Sequence, residues 1–88
     1  MIRQRVIVRG HVQGVFFRDS TRRLARQHEV AGWISNRWDG AVEAVFEGDS
    51  EAVDAMVSWC RSGPSRADVE HVEVSDEEPE GLDGFSVR

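Results

Sequence analysis

Gln4-Arg5-Val6-Ile7-Val8-Arg9-Gly10-His11-Val12-Gln13-Gly14-Val15-Phe16-Phe17-Arg18, residues 4 to 18, changes its periodicity partway along. Over Gln4 to Arg9 the side chains alternate, Val6 and Val8 against Arg5, Ile7 and Arg9, which is the period-two pattern of a strand with one buried face. Gly10 ends that pattern and a loop runs through Gly14. From Phe17 the apolar or small positions fall at Thr21, Leu24, Ala25 and His28, the stripe of an amphipathic helix that stops before Gly32.

The same two patterns recur downstream. Trp33 to Asn36 reads as a second strand, Arg37 to Gly40 as a turn closed by Asp-Gly, and Ala41 to Glu47 as a third strand with Val42, Ala44 and Phe46 facing inward. Asp49 is a natural N-cap for a helix carrying Val53, Met56, Val57 and Cys60 on one stripe, which Gly63 and Pro64 terminate. Asp68 to Val74 is a fourth strand whose valines at 69, 72 and 74 slip phase near His71, as a bulge would make them do. An acidic turn from Asp76 to Asp83 leads to a short closing strand at Phe85 and Val87. Strand, helix, strand, strand, helix, strand is the split βαβ order of an α+β, ferredoxin-like sandwich (βαββαβ). The expected architecture is a four- to five-stranded antiparallel sheet with two helices on one face. In that arrangement Asn36 is expected beside the first strand.

Eighty-eight residues with no repeat, low-complexity tract or linker are expected to form one domain over residues 1–88. No run of about 18 apolar residues suits a membrane span and no signal-peptide pattern opens the chain, so a cytoplasmic protein is expected, with no membrane partner. Cys60 is the only cysteine, which rules out an intrachain disulfide and fits a reducing compartment. A cysteine-based metal site would need several further ligands. The formal charge is −5 and all eleven basic residues are arginine. Nucleic-acid binding rests on a dense array of phosphate contacts, and a net-acidic chain supplies it poorly. The third strand, Val42-Glu43-Ala44-Val45-Phe46-Glu47, is also acidic where an RNA-binding sheet needs basic and aromatic residues. The arginines nevertheless crowd the first half, which suits one local site for a small anion.

Gly10 to Arg18 has the make-up of such a site. Free N–H groups at a helix start point outward, the helix dipole there favours negative charge, and Gly14 permits turns that converge several donors on one point. A cation in the first turn is opposed by the dipole by ~0.3–1 kcal/mol, so Arg18 asks for a compensating anion. A guanidinium can also fork two phosphate oxygens. The plain alternative is a surface arginine beside a glycine turn. Asn36, an amide with both donor and acceptor, can hold a water at a set angle without titrating; it can equally be turn chemistry. His11, His28 and His71 form no constellation, Cys60 belongs to a core stripe, and the acidic residues after position 68 read as a solvated face.

Gly10-His11-Val12-Gln13-Gly14-Val15-Phe16-Phe17-Arg18 resembles the acylphosphatase signature: glycine, any residue, Val-Gln-Gly-Val, any residue, Phe or Met, then Arg. Gly32-Trp33-Ile34-Ser35-Asn36, followed by Gly40, Val42 and Gly48, resembles the family's second signature, and Gly63-Pro64 and Phe85-Ser86-Val87-Arg88 are also similar. Ile34, Ser35 and Asp19 depart from the usual residues, which bears on substrate fit and activity level. The resemblance implies hydrolysis of the carboxyl–phosphate bond of acyl phosphates to a carboxylate and inorganic phosphate, without cofactor, metal or covalent intermediate. Carried over residue by residue, it implies a phosphate-binding loop of Gln13, Gly14, Val15, Phe16, Phe17 and Arg18, with Arg18 on the phosphate and Asn36 orienting the water. The expected partners are a small acyl phosphate and inorganic phosphate, as product and inhibitor, and the chain is expected to act as a monomer. A binding module without turnover is the competing class; loss of Arg18 or Asn36 would have favoured it, and both are present.

Overall fold

The computed structural model describes residues Met1 to Arg88. Its elements are β1 (Ile2–His11), α1 (Phe17–Gln27), β2 (Ala31–Asn36), β3 (Val42–Gly48), α2 (Ser50–Cys60), β4 (Asp68–Glu77) and β5 (Phe85–Val87). They build one five-stranded sheet in the order β4-β1-β3-β2-β5. Neighbours among the first four strands are antiparallel, as the split βαβ order requires. β1 and β2 are not neighbours, because β3 lies between them, so the expected placement of Asn36 beside the first strand is corrected.

The strand registers stack Val6 on Ala44 and Val8 on Val42, and across β3 they stack Ile34 on Ala44 and Asn36 on Val42. One face therefore carries Val6, Val8, Ile34, Val42, Ala44 and Phe46, all buried, and it joins Phe17 and Ala25 of α1 and Val53, Met56, Val57 and Cys60 of α2 in a single core. Burying the valine, isoleucine, phenylalanine and methionine side chains among them contributes roughly 1.5–3 kcal/mol each. The Phe17 and Trp59 rings meet edge to face at 5.4 Å, pinning α1 to α2, and Phe46 stacks on Phe85 at 5.8 Å. Burial pushes the Cys60 thiol up to about 12, so it acts as a small apolar residue.

The other face of the sheet is an ion-pair lattice. Arg3 and Arg5 of β1 reach Glu47 and Glu43 of β3 on one side and Glu77 of β4 on the other, and Arg9 reaches Glu73. The acidic residues at the end of β4 are thus strand residues facing arginines, and the strand continues to Glu77 where a turn from Asp76 had been expected. Arg5 and Arg88 flank the Trp33 ring at 5.4 and 4.3 Å, covering this face further. The phase slip near His71 is a bulge: Arg9 pairs with His71 but Gly10 pairs with Val69, leaving Glu70 without an opposite residue. Gly10, at φ 131°, is needed there, because a Cβ would collide with the backbone of Asp68 and Glu70.

β5 corrects the expectation of a wholly antiparallel sheet, since it pairs in parallel with β2. Topology explains the direction. β4 ends at Glu77, opposite Arg3, at the end of the sheet where β1 and β2 begin. The chain crosses that end before joining the far edge, so β5 can only run the way β2 runs. The crossing is held by Glu47, whose carboxylate accepts hydrogen bonds from the backbone N–H groups of Glu80, Gly81 and Leu82 while pairing with Arg3 at 2.6 Å. The Glu47 and Arg3 side chains are only 1% and 3% exposed. Burial pushes the Glu47 carboxyl up, but the N–H of Glu80, the Arg3 guanidinium and the N–H of Leu82 outweigh it and hold the pKa below its ordinary value. No helix is long and apolar enough to cross a membrane.

Candidate functional site

α1 begins without a capping side chain. Its N-cap residue is Phe16, in the left-handed conformation at φ 66°, ψ 23°, with no side-chain cap bond. A bulky residue there stores backbone strain, of the order of 1–3 kcal/mol, and such strain collects at functional sites. Gly14 is also left-handed, at φ 75°, so two reversals lie within three residues and turn the chain into a concave loop. None of the backbone N–H groups from Gln13 to Asp19 has an acceptor in the protein, on the main chain or on a side chain. The first N–H groups of any helix lack intrahelical partners, but here the loop before the helix adds its own.

Gly14 and Phe16 to Asp19 of this stretch line a cleft of about 380 Å³, together with Val12, Arg22, Asn36 and Val87. Arg18 and Asn36 therefore share one cavity although 18 residues separate them. Asn36 reaches it through strand alternation: Gly32, Ile34 and Asn36 lie on the helix-facing side, and Asn36 is the first of them past the buried core. The nearby Arg18 guanidinium donates one long hydrogen bond, 3.4 Å, to the carbonyl of Arg88. Val87 lines the cleft because β5 runs parallel to β2, with Val87 opposite Ile34.

The loop residues divide by role. Gly14, Phe16, Phe17 and Arg18 line the cleft; the Val15 side chain is buried in the core, into which that of Phe17 also extends, and Val15 is not among the lining residues. The Gln13 side chain turns the other way, its Nε2 donating to the carbonyls of Arg37 and Ala41 at 2.7 and 2.9 Å. Four further lining residues, Val12, Asp19, Arg22 and Val87, lie outside the expected site, and two of them are charged. Asp19 Oδ1 accepts from Arg22 Nη2 at 2.6 Å, and Arg23 lies 3.4 Å from Asp19 Oδ2. The four-residue spacing from Arg18 to Arg22 puts both on one helix face, a signal the sequence did contain. Asp19 is the only carboxylate and Arg18 and Arg22 the only cations lining the cleft, and no group of three or more His, Cys, Asp or Glu side chains is arranged to hold a metal ion. The arrangement can hold a tetrahedral anion on backbone donors and a guanidinium, with a neutral amide facing it from the opposite strand.

A family model described as Acylphosphatase matches residues 4–87. An acylphosphatase of Natronomonas pharaonis is 52% identical over 87 residues, covering 99% of this chain and 95% of its own. One from Roseiflexus sp. is 56% identical over 88 residues, with coverage of 99% and 95%. The crystal structure of acylphosphatase from Bacillus subtilis superimposes with a TM-score of 0.96 at 36% identity, covering 100% of this chain and 99% of that one.

Proposed function

The chain belongs to the acylphosphatase family, an enzyme class that cleaves acid anhydrides, and on that premise we propose how its cleft hydrolyses the carboxyl–phosphate bond of acyl phosphates. The observation that carries the reading is the row of unpartnered N–H groups from Gln13 to Asp19, of which Gly14 and Phe16 to Asp19 line the same cleft as Asn36. The phosphoryl group sits in this cradle, its oxygens accepting from the loop amides and from the forked Arg18 guanidinium. Asn36 holds a water on the side away from the acyl oxygen. The water oxygen bonds to phosphorus as the phosphorus–oxygen bond to the acyl group breaks. The electron pair leaves with the carboxylate, and the water's proton passes to a phosphate oxygen.

The chemistry asks little more of the protein. Phosphoryl transfer passes through a loose transition state and a carboxylate is a good leaving group, so positioning and charge stabilisation replace a strong base. No step is routed through a metal or cofactor. Inorganic phosphate, as product, occupies the same cradle and inhibits. The chain acts as a monomer, and its single, free Cys60 suits a reducing cytoplasm. The test is hydrolysis of acetyl phosphate by the purified chain, with and without a chelator. Turnover insensitive to chelation and inhibited competitively by phosphate is expected; no turnover, or turnover lost to the chelator and restored by a divalent ion, overturns the reading.

A further inference from the structure

The cradle and Asn36 come from parts of the chain that no strand ladder joins directly. The loop follows β1, Asn36 ends β2, and β3 lies between the two strands. The last paired residues of β1 and β3 are Val8 and Val42, before the loop begins. The only hydrogen bonds linking residues 12–19 to the turn at 37–41 are the two donated by Gln13 Nε2, to Arg37 and Ala41. Two carbonyl acceptors fix which end of the amide faces the turn, because only the NH2 group can donate to both. These carbonyls are also the turn's own closure: Arg37 N–H donates to Ala41 O at 2.8 Å and Gly40 N–H to Arg37 O at 3.2 Å. Asn36 is bonded directly to Arg37, so whatever fixes the Arg37 peptide fixes the base of the Asn36 side chain.

We propose that Gln13 is a positioning residue whose side-chain amide clamps the phosphate cradle to the β2–β3 turn and so sets the separation between the bound phosphorus and the Asn36 amide. The proposal rests on the reading in which Asn36 orients the attacking water. Its backbone N–H belongs to the cradle, while its side chain measures the gap to the other half of the site. Binding of phosphate uses the loop and Arg18, which lie on one side of the clamp; attack uses both sides. Loss of the clamp therefore acts on the chemical step and leaves phosphate affinity nearly as it was.

The experiment compares Gln13→Met, which keeps length and removes both donors, with Gln13→Glu, which turns an acceptor toward two carbonyls. Acetyl phosphate turnover and the inhibition constant of inorganic phosphate are measured for each, and cooperative thermal unfolding checks the fold. The expected result is a kcat lowered roughly 10- to 100-fold, the range that follows when reacting groups are misplaced by about 1 Å. The phosphate inhibition constant should move less than about 3-fold, the mark of an interaction used only in the transition state. In an Asn36→Ala background the further loss from Gln13→Met should shrink below about 3-fold, since residues acting through one another are not additive. Three outcomes overturn the clamp: unchanged kcat in Gln13→Met, a full additional loss in the Asn36→Ala background, or phosphate affinity falling as far as kcat. If Asn36→Ala alone turns over normally, the water-orienting role fails and the clamp falls with it. Impaired Asn36→Ala with normal Gln13→Met sinks the clamp alone.

Discussion

Replacing Arg18 by Ala separates binding chemistry from folding, because the structure gives this guanidinium almost nothing to do in the apo protein. Its one hydrogen bond, to the carbonyl of Arg88, is 3.4 Å long, and it has no ion-pair partner within 4.0 Å. A surface substitution of that kind changes stability by no more than about 0.5 kcal/mol. For a chain of this size the melting temperature then moves by at most ~4 °C. The loss in the transition state is much larger. Two charge-assisted hydrogen bonds to phosphate oxygens, at about 1.5–3 kcal/mol each, come to roughly 3–6 kcal/mol. At 1.36 kcal/mol per decade this lowers kcat/KM by about 10²–10⁴. Steady-state hydrolysis of acetyl phosphate alongside a thermal melt reads both quantities. Arg18→Lys should recover only part of the loss, since an ammonium is a point charge and cannot fork two oxygens. Activity within about 3-fold of the parent, with an unchanged melt, would take Arg18 out of the site. A fall in activity matched by a melting temperature more than ~10 °C lower would make its role structural.

If Asn36 orients the attacking water, as proposed, Asn36→Ala should lower kcat on the order of 10²–10³-fold with little change in KM, and its exposed side chain leaves the core untouched; a rise in KM alone would reassign it to substrate binding. Glu47→Ala removes one partner of a buried ion pair and the acceptor for three backbone N–H groups, which should cost about 3–5 kcal/mol and lower the melting temperature by at least ~12 °C. A melt within ~4 °C of the parent would show that Glu47 does not hold the 78–84 crossing in place. Hydrogen bonds from Arg5 and Arg3 lower the Glu77 carboxyl from 4.5 to about 2. Its folded pKa lies below the unfolded one, so its contribution is complete above about pH 4.5 and is lost as pH falls toward about 2. Denaturation curves across that window should show stability falling with pH, and Glu77→Gln should flatten the slope; an unaltered slope would leave Glu77 without a part in acid unfolding.

Periodicity sufficed for the element order, for the alternating faces of the first and third strands and for a slip in phase near His71, because those features are local: they depend on which side chains alternate and where glycine interrupts them. Arg18 and the glycine turn were legible as a candidate anion site on the same ground, since a helix start has outward donors whatever surrounds it. What Asn36 does could not be separated locally from ordinary turn chemistry. Its place opposite Arg18 depends on the β2–β3 register and on the extent of the helical cover, which pair residues far apart in sequence. The acidic residues after position 68 do lie on an exposed face, but the ion pairs that Glu73 and Glu77 make there were not legible, because their partners, Arg3, Arg5 and Arg9, lie more than 60 residues away. The direction of β5 was likewise decided only when the chain was carried across the end of the sheet, where a buried Glu47 holds it by backbone groups that any residues would supply. Local chemistry is written residue by residue, so the cradle could be read from the chain; the distance from that cradle to Asn36, and the Gln13 amide that spans it, exist only once β3 has been laid between the two strands.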